Sequence, residues 1–254
     1  MNVLIVARLT VQDLLRRRVL AVLGLFGVAL ILFSFPLRVL TTGEWHRVIS
    51  DVGLGAADFS VTLIAIFLGA TLVSGDLERR SLYPLLARPL SRAAFVAGKA
   101  LGLTAVLCLL AVAMGAGTTF MLDLAKEKGL VPLWQATATM AAGAVVVGSI
   151  SVMFSSFTST TLASIFGLAT ALLGHLTGNM AYFGTVEQSR VGRLVLLAFS
   201  KILPDLERLN LKTLASHDQT VSGATLVALV AYAAAYSVVA VSAGSLVFAR
   251  RDLK

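Results

Sequence analysis

Residues 74–99, SGDLERRSLYPLLARPLSRAAFVAGK, form a charged segment between two long apolar runs. Basic residues concentrate in the cytoplasmic loops of membrane proteins. Five occur in this segment: Arg79, Arg80, Arg88, Arg92 and Lys99. The segment is therefore predicted to face the cytoplasm. Leu82, Leu85 and Leu86 have the spacing of one helix face, which predicts a short helix that packs against a separate soluble protein.

The composition of the whole chain is that of a membrane protein. Apolar residues make up 57% of the sequence, charged residues 13%, and the mean hydropathy is +0.89. Soluble globular domains carry about 25% charged residues. The 254 residues leave room for about six spans of roughly 20 residues each. No separate soluble catalytic domain is expected.

The predicted fold class is all-α, a polytopic membrane protein with six transmembrane helices and both termini in the cytoplasm. The predicted spans are residues 19–39, 54–73, 94–121, 133–154, 162–182 and 224–248, with a polar outer loop at 41–51. A tight, uncharged inside turn is predicted at 155–161. Together with the loops these form a single transmembrane domain, residues 1–254.

Two further helices are predicted outside the spans. Residues 2–18 form an amphipathic helix on the cytoplasmic leaflet, with Leu4, Ala7, Val11, Leu14 and Leu15 on one face. Residues 183–221 form an extracytoplasmic loop. Its apolar stretch at 191–203 is too short to cross a bilayer, so an interfacial or re-entrant helix is expected there.

The net charge of +8 raises the question of nucleic-acid binding. Under the predicted topology the whole excess lies on the cytoplasmic side, since acids and bases balance on the other side. This distribution follows the positive-inside rule and favours contact with anionic lipid. No nucleic-acid partner is expected.

The sequence contains no recognisable motif for nucleotide binding, metal binding or catalysis. Gly98-Lys99 resembles the end of a phosphate-binding loop, but Ala100 replaces the hydroxyl residue. Cys108 is the single cysteine, and the three histidines lack metal-ligand spacing. We therefore expect no catalytic residue, no cofactor and no metal on this chain. His175, near Asn179, is interpreted as a hydrogen-bonded packing residue near the outer interface.

Apart from Asp58, no carboxylate lies well inside a predicted span. Proton-coupled carriers place ionisable groups at mid-membrane, and many ion channels use charged rings. The sequence therefore disfavours both classes. Asp58 is placed near the outer end of the second span, and Asp76 and Glu78 at its inner end.

The segment 78–99 resembles the cytoplasmic loop of ABC-2 type transporter permeases, the membrane subunits of many bacterial ABC exporters. The matching residues are Glu78, Ser81-Leu82, Leu85-Leu86, Arg88-Pro89, Ser91-Arg92 and Gly98-Lys99. Arg80-Ser81 departs mildly from the Gly-Thr that is common in the family. In general pattern the chain is most similar to the copper-enzyme-maturation permeases.

The resemblance implies a coupling helix in residues 78–92, seated in a cleft of a separate ATP-binding cassette subunit. The implied contacts are Glu78, Leu82, Tyr83, Leu85, Leu86, Arg88, Pro89 and Arg92. ATP and magnesium would bind the partner ATPase, and the permease would pair with a second copy or a paralogue. The implied location is the bacterial inner membrane. The alternative is a cytoplasmic loop that only anchors the topology.

Two other functions remain open at this point. The chain is alternatively a mechanotransmitter that passes ATPase motion to a periplasmic protein, with Val191, Leu194, Leu197 and Phe199 as contacts. A third hypothesis is that the chain is a channel or carrier that works without an ATPase. The sequence does not identify a substrate.

Overall fold

The computed structural model describes residues 3–37, 45–78, 91–125, 130–187 and 189–250. Within these ranges the regular secondary structure is helical, as predicted. The helices are α1 (Val3–Leu15), α2 (Arg18–Leu37), α3 (Trp45–Glu78), α4 (Arg92–Leu124), α5 (Leu130–Ser155), α6 (Thr160–His175), α7 (Thr177–Val186), α8 (Arg190–Ile202), α9 (Lys212–Ser216) and α10 (Gly223–Ala249). A 3₁₀ turn, Glu207–Leu209, lies between α8 and α9.

Four helices in the described part of the chain are long and apolar enough to cross a membrane: α3, α4, α5 and α10. α1 and the segment Arg18–Ser34 of α2 pass the same test together but meet at an angle of 63°. Length and composition thus support four or five spans. The finer expectation of six spans with cytoplasmic termini stays a prediction.

α3 is the central helix of the bundle and packs against α2, α4, α5, α6 and α9. Its buried side chains include Ile64, Leu68 and Leu72, which join the main hydrophobic core. α3 begins at Trp45, so the second half of the predicted polar loop 41–51 is helical. Gly53 permits this extension to pack closely, since a Cβ there would lie 2.7 Å from Thr118 Cγ2 of α4.

The predicted fifth span, 162–182, is broken into α6 and α7 at Leu176. α6 has 16 residues, a length of about 24 Å, which is less than a hydrocarbon core of about 30 Å. The chain after α8 returns to this break, where Leu206 N donates to Gly174 O at 3.0 Å. A Cβ on Gly174 would lie 2.7 Å from Leu206 Cδ1. A tertiary contact therefore occupies the end of α6.

α1 packs on α4 through a face that only partly overlaps the predicted apolar face. Its buried residues are Val6, Thr10 and Leu14, whereas Leu4 is 74% exposed and Leu15 is 45% exposed. The packing on α4 was not predicted, because two glycines of α4 decide which side of α1 it contacts. The lipid-facing role of the predicted face stays a prediction. Cβ atoms on Gly98 and Gly102 would lie 2.6 Å from the Cβ atoms of Val6 and Thr10. Small residues let two helices approach closely, as expected for these glycines.

Candidate functional site

A buried ion pair ties α4 to the C-terminal end of α3. Lys99 is only 8% exposed, and its Nζ donates to the backbone oxygen of Leu72 at 2.7 Å. The same Nζ pairs with the carboxylate of Asp76. It also lies 5.1 Å from the ring centroid of Phe95. A charge that is buried this deeply needs such partners, because losing one leaves an uncompensated ion.

The turn between α1 and α2 is attached to the same end of α3. Arg17 contacts Asp13 with its Nη2 2.8 Å from Oδ2. Its Nη1 donates to Thr71 Oγ1 at 2.7 Å. The guanidinium can do both because it presents several donors in a fixed planar arrangement.

Hydroxyl groups connect the turn between α5 and α6 to α3. Ser155 Oγ donates to Ala70 O at 2.7 Å and accepts from the backbone N–H of Ser74 at 2.9 Å. Ser74 Oγ lies 2.7 Å from Thr160 Oγ1. The residues 155–161, predicted only as a tight turn, therefore contribute hydrogen bonds between helices.

The start of α4 is joined to the end of α10. Arg92 Nη1 donates to Ala249 O at 3.1 Å. Phe95 stacks on Phe248, with ring centroids 6.1 Å apart, and Phe248 is 1% exposed. We call this end of the bundle the Asp76 cluster and define it by Asp13, Arg17, Thr71, Ser74, Asp76, Arg92, Lys99, Ser155 and Thr160.

Residues of the Asp76 cluster lie on both sides of the segment that was predicted to contact the ATPase: Asp76 precedes it and Arg92 follows it. α3 ends at Glu78, and α4 begins at Arg92 after the N-cap residue Ser91, whose Oγ accepts from Ala94 N. Arg92 is thus in the cluster, and Glu78 is the last residue of α3. The other predicted contacts, Leu82, Tyr83, Leu85, Leu86, Arg88 and Pro89, lie outside the described residues.

The sequence analysis did not predict the buried ion pair of Lys99. It considered Lys99 only as part of a sequence that resembles the end of a phosphate-binding loop and as part of the family pattern. A signal was present. Lys99 falls inside a predicted span, where a charged side chain is costly and needs a partner. Asp76, at the end of the preceding span, was the available acid.

A second ion pair lies on α3 eighteen residues before Asp76, nearer the start of the helix. Lys212 Nζ is 2.5 Å from Asp58 Oδ2, and the two side chains are 24% and 20% exposed. The pair lines a cleft between α3, α5, α6 and the residues before α9. Asp58 was predicted near the outer end of its span, but its partner was not identified.

His175 and Asn210 share Glu207 as a partner in the same cleft. His175 Nδ1 lies 3.2 Å from Glu207 Oε2, and the two side chains are 40% and 55% exposed. Asn210 Nδ2 donates to Glu207 Oε1 at 3.0 Å. His175 is therefore hydrogen-bonded to the 3₁₀ turn rather than to Asn179, its neighbour in sequence. Within the described residues no group of three His, Cys, Asp or Glu side chains could hold a metal ion.

α8 forms where the interfacial helix was predicted, and three of its four predicted contact residues are exposed. The helix has no buried residue. Val191 is 73% exposed, Leu194 70% and Phe199 48%, while Leu197 is half-buried. α8 packs on α7. Tyr236 Oη of α10 donates a hydrogen bond to the backbone oxygen of Ile202, the last residue of α8.

Comparison with known proteins gives one family. A family model described as an ABC-2 family transporter protein matches residues 4–253. No curated protein sequence matches the chain.

Proposed function

Because the chain belongs to the ABC-2 transporter family, we propose that it is the transmembrane permease subunit of an ATP-driven exporter. ATP and magnesium bind a separate ATP-binding cassette subunit, and this chain contributes no hydrolytic site. The family and the apolar helices make it a multi-pass membrane protein. The bacterial inner membrane is the location we propose.

The observation that carries this proposal is the position of the Asp76 cluster. The cluster joins the parts of α3 and α4 that flank the 79–90 segment to the α1–α2 turn, α5, α6 and α10 through ion pairs and hydrogen bonds. A partner that moves this segment therefore moves most of the bundle. A loop that only anchored the topology would not require buried charges at its two ends.

α3 is the element that we expect to transmit this motion. It is a single helix of 34 residues without an internal break, and it connects the Asp76 cluster to the Asp58–Lys212 pair. Packed helices move as rigid units with discrete arrangements, so a displacement at one end is passed to the other.

We place the Asp76 cluster at the cytoplasmic side and the Asp58 end at the opposite side. The net positive charge of the segments predicted inside supports this orientation. Six spans result if α2 crosses the membrane and the broken pair α6–α7 counts as the fifth. The active assembly then contains two permease subunits, identical or paralogous, and two ATPases.

A pull-down tests the permease proposal. The tagged chain is isolated from its native membranes in mild detergent, and co-purifying proteins are identified by mass spectrometry. A stoichiometric ATP-binding cassette subunit is expected. A charge placed in the apolar contact should abolish this association, so Leu85→Glu is compared with Leu85→Met as a matched control.

The outcome is informative in both directions. Loss of the ATPase in Leu85→Glu but not in Leu85→Met, at equal membrane levels, supports the coupling role. Equal recovery in both variants contradicts it. Substrate flux from the purified chain alone in liposomes would favour the channel or carrier class instead.

The exposed face of α8 favours a second candidate, the mechanotransmitter. Val191 and Leu194 are mostly exposed on a helix without buried residues, as a docking surface for a periplasmic protein would be. Deleting 191–203 separates the two functions when transport and partner binding are both measured. Lost transport with partner binding intact would contradict the transmitter.

A further inference from the structure

A cleft of about 320 Å³ runs between α3 and α6 and ends at the Asp58–Lys212 pair. Apolar side chains form most of its walls: Phe59, Leu63 and Ile66 from α3, and Leu168, Ala171 and Leu172 from α6. Phe59 is 54% exposed and Leu172 is 62% exposed, so the apolar part opens on the surface of the bundle. In a multi-pass membrane protein such a surface faces the hydrocarbon of the bilayer.

Polarity changes along the cleft in one direction. Asp58, His175 and Lys212 form its polar end, whereas the remaining lining is apolar except for Thr62. A ligand that matches this gradient has a charged head and a hydrocarbon tail. A small polar solute would leave the apolar walls without a partner.

The polar end adjoins a smaller cleft that includes Asn210. Asn210 Nδ2 donates to Glu207, but its Oδ1 is buried and has no hydrogen-bond partner among the described residues. A buried acceptor without a donor is costly. Asp58 lines the same space as Asn210. The space thus contains two side-chain acceptors: Asp58, which is paired with Lys212, and Asn210 Oδ1, which has no donor among the described residues.

The charges at the polar end specify the headgroup. Lys212 provides a cation for a phosphate, and Asp58 with Asn210 Oδ1 provides acceptors for an ammonium group. With such a headgroup bound, Asp58 lies beside the ammonium group and Lys212 lies beside the phosphate. Each member of the ion pair therefore still has an opposite charge next to it.

We propose that this cleft binds a phospholipid whose headgroup carries a phosphate and a primary amine. The headgroup lies at Asp58, Lys212 and Asn210, and one acyl chain lies between Phe59 and Leu172. The lipid comes from the leaflet at the Asp58 end of the bundle. This binding does not depend on ATP or on the proposed coupling to an ATPase.

Native mass spectrometry of the purified full-length chain tests the proposal. The protein is exchanged into an equimolar mixture of phosphatidylethanolamine and phosphatidylglycerol with the same acyl chains. One retained phosphatidylethanolamine per chain is expected, favoured over phosphatidylglycerol by roughly tenfold, because a hydrogen bond to a charged group contributes enough for this factor.

Two variants probe the two parts of the cleft. Leu172→Trp fills the apolar groove without changing a charge and should remove the bound lipid. Asp58→Asn should remove the headgroup preference while the acyl chain still binds. Leu109→Trp, at an exposed residue of α4 outside the cleft lining, is the matched control and should retain the lipid.

Several results would overturn the proposal. These are equal retention of both lipids by the unaltered chain, or unchanged retention in Leu172→Trp. Disulfide cross-linking of Leu172→Cys between two copies in membranes would show instead that a second chain covers the groove.

Gel filtration of each variant verifies folding, and if Leu172→Trp is misfolded, Leu168→Trp tests the same groove. ATPase association is measured in parallel, so a failure here is separable from a failure of the proposed function.

Discussion

Asp58 and Asp76 lie on the same face of α3, eighteen residues and five helical turns apart. At 1.5 Å per residue their separation is about 27 Å, close to the hydrocarbon thickness of about 30 Å. Each aspartate pairs with a lysine from another part of the chain, Asp58 with Lys212 and Asp76 with Lys99. α3 is therefore held by two ion pairs, one near its C-terminal end and one about five turns earlier.

Breaking the pair at the Asp76 end should destabilise the protein strongly. Asp76→Asn leaves Lys99 buried with Leu72 O as its remaining backbone acceptor. Removing one member of a buried pair costs about 3–5 kcal/mol, and we expect the lower end because Asp76 is 22% exposed. Thermal unfolding in detergent measures the change.

An ion pair whose cation is exposed provides the control for this prediction. Arg208 and Asp205 lie 2.7 Å apart, with Arg208 71% exposed. Arg208→Met should cost less than about 1 kcal/mol, as surface pairs do. Equal losses in Asp76→Asn and Arg208→Met would show that burial does not govern the Lys99 pair. Lys99→Met combined with Asp76→Asn should recover part of the loss.

The contact of α1 with α4 should not tolerate a methyl group at its glycines. In Gly102→Ala the new Cβ would lie 2.6 Å from Thr10 Cβ and 2.8 Å from Ala7 O. The backbone oxygen cannot yield without moving α1, so a net loss of about 1–3 kcal/mol is expected. Chemical or thermal unfolding measures it.

Gly24→Ala is the matched control for the glycine prediction. It lies inside α2, and its Cβ would meet nothing within 4 Å. Since alanine is the better helix former by up to about 1 kcal/mol, this variant should be neutral or stabilising. A Gly102→Ala protein as stable as Gly24→Ala would mean that α1 does not pack as described.

The sequence predicted those helices whose limits are set by local signals. α4, α5, α8 and α10 fall within a few residues of their predicted ranges, because continuous apolar runs, or for α8 a short apolar stretch, define them. Ser91, Ser189 and Ser222 cap three of these helices through hydrogen bonds from the backbone. Local composition is sufficient at these positions.

Features that depend on distant parts of the chain were not predictable in this way. The break at Leu176 depends on Leu206, which reaches Gly174 from beyond α8. The buried face of α1 depends on glycines about ninety residues later. Each ion pair of α3 joins residues on different helices or loops, so spacing along one helix could not reveal it.

Removing the hydroxyl of Ser155 should weaken the attachment of the α5–α6 turn to α3. In Ser155→Ala the acceptor for Ser74 N and the donor to Ala70 O are both lost. Hydrogen bonds between membrane helices contribute about 0.6 kcal/mol on average and up to about 1.7. We expect a loss of about 1 kcal/mol, measured by unfolding.

Ser245→Ala is the comparison for Ser155→Ala. Ser245 Oγ donates only to Ser242 O within its own helix and is not buried. Its replacement should change the stability by less than about 0.5 kcal/mol. If the two variants lose the same amount, the links between helices at Ser155 are not important for stability.

The two ends of α3 should differ in their effect on the ATPase. Lys99→Met disturbs the residues beside the 79–90 segment, whereas Lys212→Met disturbs the opposite end, about 27 Å away along α3. Pull-down with the ATPase should therefore recover less partner from Lys99→Met and the full amount from Lys212→Met. Both variants are compared at matched amounts of folded protein. Full recovery from Lys99→Met would mean that the Asp76 cluster does not position the coupling segment, and a loss confined to Lys212→Met would place the ATPase contact at the other end of the bundle.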